Sequence, residues 1–447
     1  MAAVDTIVAL ATAQGQSGVG IIRLSGPDSK IIAKKIAPQI QVISPRKAIF
    51  GRFYDQNGEI IDEGLLLYFL SPNSFTGEDV IEFQTHGSPI ILDLLLKTCL
   101  HYGARLALPG EFSERAFLNG KIDLAQAEAI ADLIESSSET AARMASRSLQ
   151  GKFSEYINQL VEKLIYLRMY VEASIDFPEE EIDFLQDQHI HQSLEQIEKQ
   201  FIAINEKAKQ GALIKDGMIL VIAGKPNAGK SSLLNALAGY DTAIVTDIPG
   251  TTRDVLKEKI QIDGMPIHLI DTAGLRDSDD AVEQEGIKRA RQQIANADHI
   301  LWIYDAVDDP THSAFDQTDL PSDIPVTFIK NKIDKVDQLP KRISNDHLSI
   351  SVKENLGIDL LKDHLKNIMG YQGPEHGEFL ARRRHLNALE EAASHLNKAK
   401  DALNILMAGE LLAEELRQMQ NCLGQITGEF SSDDLLGRIF SSFCIGK

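Results

Sequence analysis

The spacing of apolar positions changes three times along the chain. Over residues 1–118, short apolar runs of strand length at 6–12, 20–24 and 65–70 are punctuated by Gly and Pro and joined by one strong helical pattern at 90–102, which predicts an α+β domain. From Ala125 to about Lys209 the stretches lengthen and become rich in Ala, Glu, Gln, Leu and Ser, with a break near 176–181, a helical texture. Between 216 and 373 short apolar strands at 218–223, 267–270, 299–304, 326–329 and 348–351 alternate with helix-length segments. That alternation predicts a parallel sheet with covering helices. Helix returns at 380–408 and 410–426, with apolar residues three and four apart.

An amphipathic helix must bury its apolar stripe. Neither helical block has a partner within its own stretch, so the two are expected to pack together. The α/β module at 216–373 then becomes an insertion between the parts 119–215 and 374–447 of one helical domain.

Composition narrows the function. A chain of 447 residues corresponds to about three domains. Lys and Arg total 45 against 65 Asp and Glu, a formal charge of −20, while 43% of residues are hydrophobic. Bulk disorder is excluded, and so is a general nucleic-acid coat, which needs dense cationic charge to displace phosphate counterions. Cys99, Cys422 and Cys444 are too few and too scattered for a disulfide framework or a four-cysteine zinc site, which indicates a reducing compartment. No basic leader precedes the first apolar run, and no apolar run approaches the roughly 18 residues that span a bilayer. A soluble cytoplasmic protein without membrane contact is expected.

The most specific chemistry is Gly-Lys-Pro-Asn-Ala-Gly-Lys-Ser at 224–231, directly after the strand at 218–223 and before a helical run. This is a P-loop in its proper setting: glycines turn the backbone so that N–H groups face phosphates, Lys230 supplies charge, and the Ser231 hydroxyl can ligate Mg²⁺. Asp271, Thr272, Ala273 and Gly274 end a second strand, where a carboxylate lies near Mg²⁺ and a glycine N–H near the γ-phosphate. Asn331, Lys332 and Asp334 end a third strand, and Asp334 can accept from the N1–H and 2-amino group that guanine has and adenine lacks.

GTP is therefore the expected ligand. Ser351, Val352 and Lys353 occupy the loop for the guanine carbonyl, where Val352 replaces the usual Ala and is tolerated if its backbone N–H makes the contact. In the switch segment Pro249, Gly250, Thr251, Thr252, Arg253, Asp254, either threonine could reach Mg²⁺ by spacing alone. Many GTPases orient the attacking water with a glutamine after the Asp-x-x-Gly turn, but that residue here is Leu275. The acids downstream, Asp277, Asp279, Asp280, Glu283 and Glu285, remain as candidates.

These motifs, with Asn-Ser-Phe-Thr-Gly-Glu-Asp at 73–79, Pro-Gly-Glu-Phe-Ser-Glu-Arg-Ala-Phe-Leu at 109–118 and the final Phe-Cys-Ile-Gly-Lys, resemble the tRNA-modifying GTPase family called MnmE or TrmE, over essentially the whole chain. The resemblance implies a multidomain α+β and α/β fold. An N-terminal α+β domain (1–118) similar to tetrahydrofolate-binding domains would carry dimerisation, and a Ras-like P-loop GTPase domain would be inserted in a central helical domain.

The resemblance also implies a homodimer whose G domains meet across their nucleotide faces, with K⁺ in the place of an arginine finger. Carried over, the K⁺ ligands are Asn227, Thr251 and the carbonyls of Thr246 and Ile248, and the Mg²⁺ ligands are Ser231 and Thr252. The implied nucleotide contacts further include Ala228, Gly229, Ser232 and Asp247. Among the acids, the pattern Val-Glu-x-x-Gly-Ile-x-Arg-Ala at 282–290 singles out Glu283 as the residue that orients water. Arg23, Glu82, Lys121 and Lys447 would surround a 5,10-methylene- or formyl-tetrahydrofolate, and Cys444 is a candidate reactive or substrate-facing thiol, with a small inert apolar residue as the alternative reading.

The implied activity, with the FAD- and NADH-dependent partner MnmG in a heterotetramer, is addition of an aminomethyl or carboxymethylaminomethyl group to C5 of the wobble uridine, position 34, of certain tRNAs. Two rivals share part of the pattern: a regulatory GTPase of ribosome assembly and a stand-alone folate-dependent methyltransferase. The basic triplet Arg382, Arg383, Arg384 is read as a solvated helix start, with tRNA phosphate contact as the sharper alternative.

Overall fold

The computed structural model describes residues 5–136, 138–176, 187–238, 257–271, 297–309, 324–371, 373, 377–429, 433–441, 443 and 446. These fall into two compact units, Met1–Ala131 with Asn421–Lys447, and Asp132–Gln420.

The first unit is built on a six-stranded sheet: β1 (Ile7–Leu10), β2 (Ser17–Ser25), β3 (Ile49–Tyr54), β4 (Ile60–Phe69), β5 (Val80–Gly87) and β6 (Arg105–Leu106). Their order is β3-β4-β5-β2-β1-β6, antiparallel except for β1 beside β6. Alternate residues face opposite sides of a strand. Ile22 and Leu24, Leu66 and Tyr68, and Ile81 and Phe83 thereby share one core with Ile32 and Ile36 of helix Ser29–Ile36 and Leu92 and Leu95 of helix Pro89–His101. On β1, Ile7 and Ala9 pack instead with Phe112 of helix Glu111–Leu118. Arg105 of β6 reaches the Glu111 carboxylate at the start of that helix at 2.6 Å, and Arg115, one turn further along the same helix, reaches it at 2.9 Å. Burial alone would raise the Glu111 carboxyl, but Arg105 and the Leu108 N–H hold it below its ordinary value.

Leu436, Ile439, Phe440 and Phe443 near the end of the chain pack with Leu124 and Ala127. Gly446, with φ +98°, lies so close to the Leu10 carbonyl that a Cβ there would approach the oxygen to 2.1 Å. Only glycine fits this approach.

The second unit carries a seven-stranded sheet: β7 (Met218–Ala223), β8 (Lys257–Ile262), β9 (Met265–Asp271), β10 (His299–Asp305), β11 (Val326–Asn331), β12 (Lys341–Ser344) and β13 (His347–Ser349). The order is β12-β13-β11-β10-β7-β9-β8, parallel apart from the outer strands β12 and β8. Leu220 and Ile222 of β7 lie in one core and Val221 and Ala223 in another. A strand buried on both faces reads as a continuous apolar run, which is why β7 is visible in the sequence.

The two helical blocks meet, as their apolar stripes require. Lys400 of helix Arg383–Asn404 pairs with Glu198 of helix Gln188–Asp216 at 2.7 Å, and Arg168 of helix Lys152–Asp176 bonds Gln420 of helix Gly409–Thr427 at 2.6 Å. The helix expected from residue 380 begins at Arg383. Phe379 is fully buried against Phe153 (centroids 4.3 Å apart), and the Leu380 N–H donates to Ser148 Oγ, so these residues stay outside the helix. Arg382 bonds Asp132 at 2.6 Å and its N–H donates to His385 Nδ1, so it is engaged in holding the helix start rather than freely solvated.

A buried chain joins two strands to helix Ile358–Ile368: His299 Nε2 lies 2.7 Å from Thr327 Oγ1, itself 2.8 Å from His364 Nε2. Burial, aided by His364, pushes His299 down from 6.5 to about 4, and burial lowers His364 as well. The folded imidazole stays neutral where the unfolded chain already binds a proton, so the His299 contribution to stability is unchanged above pH 6.5 and falls as pH drops toward 4. We expect about 3 kcal/mol to be lost at His299 across this window. Urea unfolding at the two pH extremes should show His299→Gln losing less stability than the parent chain.

Candidate nucleotide-binding site

The strand β7 delivers the chain to Gly224, and helix Lys230–Ala238 receives it. Gly224, Asn227 and Gly229 have φ of +142°, +63° and +108°, which curl the loop between these two elements. Ala228 anchors it in the core, while Ser231 and Ser232 are exposed on the first helical turn. The Lys230 ammonium lies across the loop, donating to the carbonyls of Gly224 at 2.7 Å and Lys225 at 2.9 Å. Backbone N–H groups, a helix N-terminus and a lysine therefore converge, a phosphate-binding arrangement.

Two further segments close on this loop from far along the chain. Asn331, at the end of β11, donates through Nδ2 to the Ala228 carbonyl at 2.8 Å, and its Oδ1 accepts from the Val352 N–H at 3.1 Å. The Val352 N–H, expected to face a guanine carbonyl, thus bonds Asn331 here. Lys332, itself at φ +64°, donates to the Asn227 carbonyl at 2.7 Å and to Asp305 Oδ2 at 2.6 Å. Asp334 Oδ1 accepts from Ser351 Oγ at 2.5 Å, which orients its carboxylate.

Asp305 at the end of β10 escapes sequence reading, since a lone Asp between Tyr304 and Ala306 belongs to no motif. Burial would raise its carboxyl, yet Lys332 and the amides of Val307 and Asp308 hold it below the usual range. The backbone of Asp271 pairs beside Ile222, next to the P-loop strand. Thr246, Asp247, Ile248, Pro249, Gly250, Thr251, Thr252, Thr272, Ala273, Gly274 and Glu283 lie outside the described residues, as do Cys444 and Lys447.

Family models match both parts of the chain. Residues 6–121 match the GTP-binding protein TrmE N-terminus, and residues 124–444, well over half of the chain, match the MnmE helical domain. The chain belongs to the MnmE family. A protein of Francisella philomiragia named tRNA modification GTPase MnmE is 56% identical over 454 residues, 99% of each chain. A protein of the same name from Pseudomonas fluorescens is 56% identical over 453 residues, again 99% of each. The solved structure of a variant of Aquifex aeolicus Era bound to GDP·AlF4⁻ is 26% identical over 40% of this chain and 67% of its own, with a TM-score of 0.25.

In this MnmE-family chain a second polar site lies in the first unit. Arg23 and Glu82 are direct cross-strand partners on β2 and β5, and the guanidinium places two nitrogens 2.8 Å from Glu82 Oε1. They face away from the two helices of the main core, and the Arg23 guanidinium lies 5.9 Å from the Phe112 ring centre. Lys121 donates to the Pro72 carbonyl at 2.9 Å, in the loop that leads to β5. Arg23 and Glu82 are thus brought together, while Lys121 is held by a different partner.

Proposed function

We propose that this MnmE-family protein is a GTP hydrolase that acts in tRNA modification. The observation that carries this reading is the bracing of one P-loop by Asn331 and Lys332, residues about a hundred positions away, with Asp334 oriented beside it. A phosphate cradle and a guanine-specific acceptor held in one frame suit GTP.

The finer reading is a homodimeric, K⁺-activated GTPase working in the cytoplasm with MnmG to add a carboxymethylaminomethyl or aminomethyl group at C5 of the wobble uridine. Asn227 and Ser231 fit metal ligation by their chemistry and place: each carries a side-chain oxygen, and both residues are exposed on the phosphate loop and the first turn of the helix that follows it. Asn227, Thr251 and the carbonyls of Thr246 and Ile248 would hold K⁺, and Ser231 and Thr252 would hold Mg²⁺. Bound there, the cations supply neutralising charge for phosphoryl transfer. Lys230 steadies the phosphates, Asp334 selects the base, and Glu283 orients the attacking water.

A tetrahydrofolate derivative, 5,10-methylene or formyl, is the proposed one-carbon source. Glu82 suits the amino-pyrimidine edge of a pterin, because a carboxylate offers acceptors and, among the described residues, Arg23 engages Oε1 alone. Arg23, Lys121 and Lys447 would attract an anionic glutamate tail.

The test combines mass spectrometry of tRNA nucleosides from cells lacking the protein with GTP turnover in K⁺ and in Na⁺. Wobble-uridine modification should disappear on deletion, and turnover should be faster in K⁺. Glu283→Ala should still bind GTP while turnover falls about 100-fold or more. Near-normal single-turnover hydrolysis in that variant would remove Glu283 from its role.

A further inference from the structure

We propose that Asp305 is a positioning residue that sets the register of both ends of the bound nucleotide by fixing the Lys332 ammonium against the P-loop. The inference rests on the reading of this site as a GTP and K⁺ site. Asp305 closes β10, which lies between the P-loop strand β7 and the strand β11 that carries Asn331. Its side chain is 8% exposed. Oδ1 accepts from the Val307 N–H at 2.9 Å, which fixes the carboxylate, and Oδ2 accepts from Lys332 Nζ at 2.6 Å.

Lys332 and Asn227 are both non-glycine residues in left-handed backbone conformations, φ +64° and +63°. Each costs free energy unless its surroundings enforce it. One ammonium joins them, donating to the Asn227 carbonyl at 2.7 Å, and Asp305 supplies its counter-charge. Without that carboxylate, Lys332 is a half-buried cation left, among the described residues, with one neutral acceptor and a favourable route to water. The hold on Asn227 then weakens, and with it the placement of the Asn227 amide and the phosphate loop. The base-reading segment from Asn331 to Asp334 loosens with it, because Lys332 lies inside that segment.

Both consequences concern binding rather than the reacting atoms, so the effects should separate. In Asp305→Ala, dissociation of fluorescent GDP should quicken about tenfold, the loss expected of one charge-assisted hydrogen bond. The K⁺ concentration for half-maximal turnover should rise by a similar factor, while turnover at saturating GTP and K⁺ stays within about threefold. Asp305→Asn, which keeps the acceptor for Lys332 without the charge, should fall between the parent and the alanine variant.

A folded Asp305→Ala protein with unchanged GDP dissociation overturns the proposal. If that variant does not fold, Asp305→Asn decides alone, and an unchanged dissociation rate overturns it equally. Equal turnover of the parent in K⁺ and Na⁺ would sink the K⁺ reading only, because the dissociation rate still tests Asp305.

Discussion

Gly224→Ala should abolish nucleotide binding, with GDP affinity falling at least about 100-fold in isothermal titration. A Cβ at this position would approach the Ile303 carbonyl oxygen to 2.1 Å, and the residue sits at φ +142°. The obstacle is backbone, so no rotamer change relieves it. Ile303 cannot retreat either, since Leu301 and Trp302 are paired in register with Ile222 and Ala223 on β7 and with Thr327 and Phe328 on β11. The strain falls on the P-loop, which must lift from the sheet just where its N–H groups turn toward phosphate. A stability loss of about 2–4 kcal/mol should accompany the loss of binding, because overpacking and a forbidden φ act together. An alanine variant that binds GDP within a few-fold of the parent would show that the first loop glycine is not placed by β10.

The second large effect concerns the base. Asp334→Asn should weaken GTP binding about 100-fold and make xanthosine triphosphate the preferred nucleotide in competition binding. The Asp334 carboxylate offers acceptors only, which suits the N1–H and 2-amino group of guanine. An amide in its place presents a donor where guanine also donates, and a site that hydrogen-bonds its ligand strongly rejects a mismatched partner. Xanthine carries a 2-oxo group that can accept from that amide. Ser351 Oγ holds Asp334 Oδ1 at 2.5 Å and can serve either side chain, so the change should reach the base contact without disturbing the loop. Undiminished GTP preference in Asp334→Asn would mean that another residue reads the 2-amino group.

The fold was legible in the sequence to the degree that each strand is buried. β7, β9, β10 and β11 occupy the middle of the seven-stranded sheet and read as apolar runs. β8, β12 and β3 lie at sheet edges, where charged and polar residues such as Lys341, Arg342 and Arg52 are admitted, and no run announced them. β5 carries only a brief alternation, Ile81 with Phe83, and helix Ser29–Ile36 spans just eight residues, so neither stands out along the chain.

For the site, the local chemistry was written in the sequence. A P-loop needs Gly, Lys and Ser at fixed intervals because one turn of backbone must present N–H groups, a cation and a hydroxyl together, so short-range geometry constrains a short-range motif. The guanine-reading segments carry their signal for the same reason. Only the tertiary structure decided which residues hold these segments to one another. Asp305 meets Lys332, Lys332 meets Asn227, and Arg23 meets Glu82 across 59 positions. Each pairing follows from strand order and register, which many weak contacts throughout the sheet set jointly, and no interval along the chain encodes them.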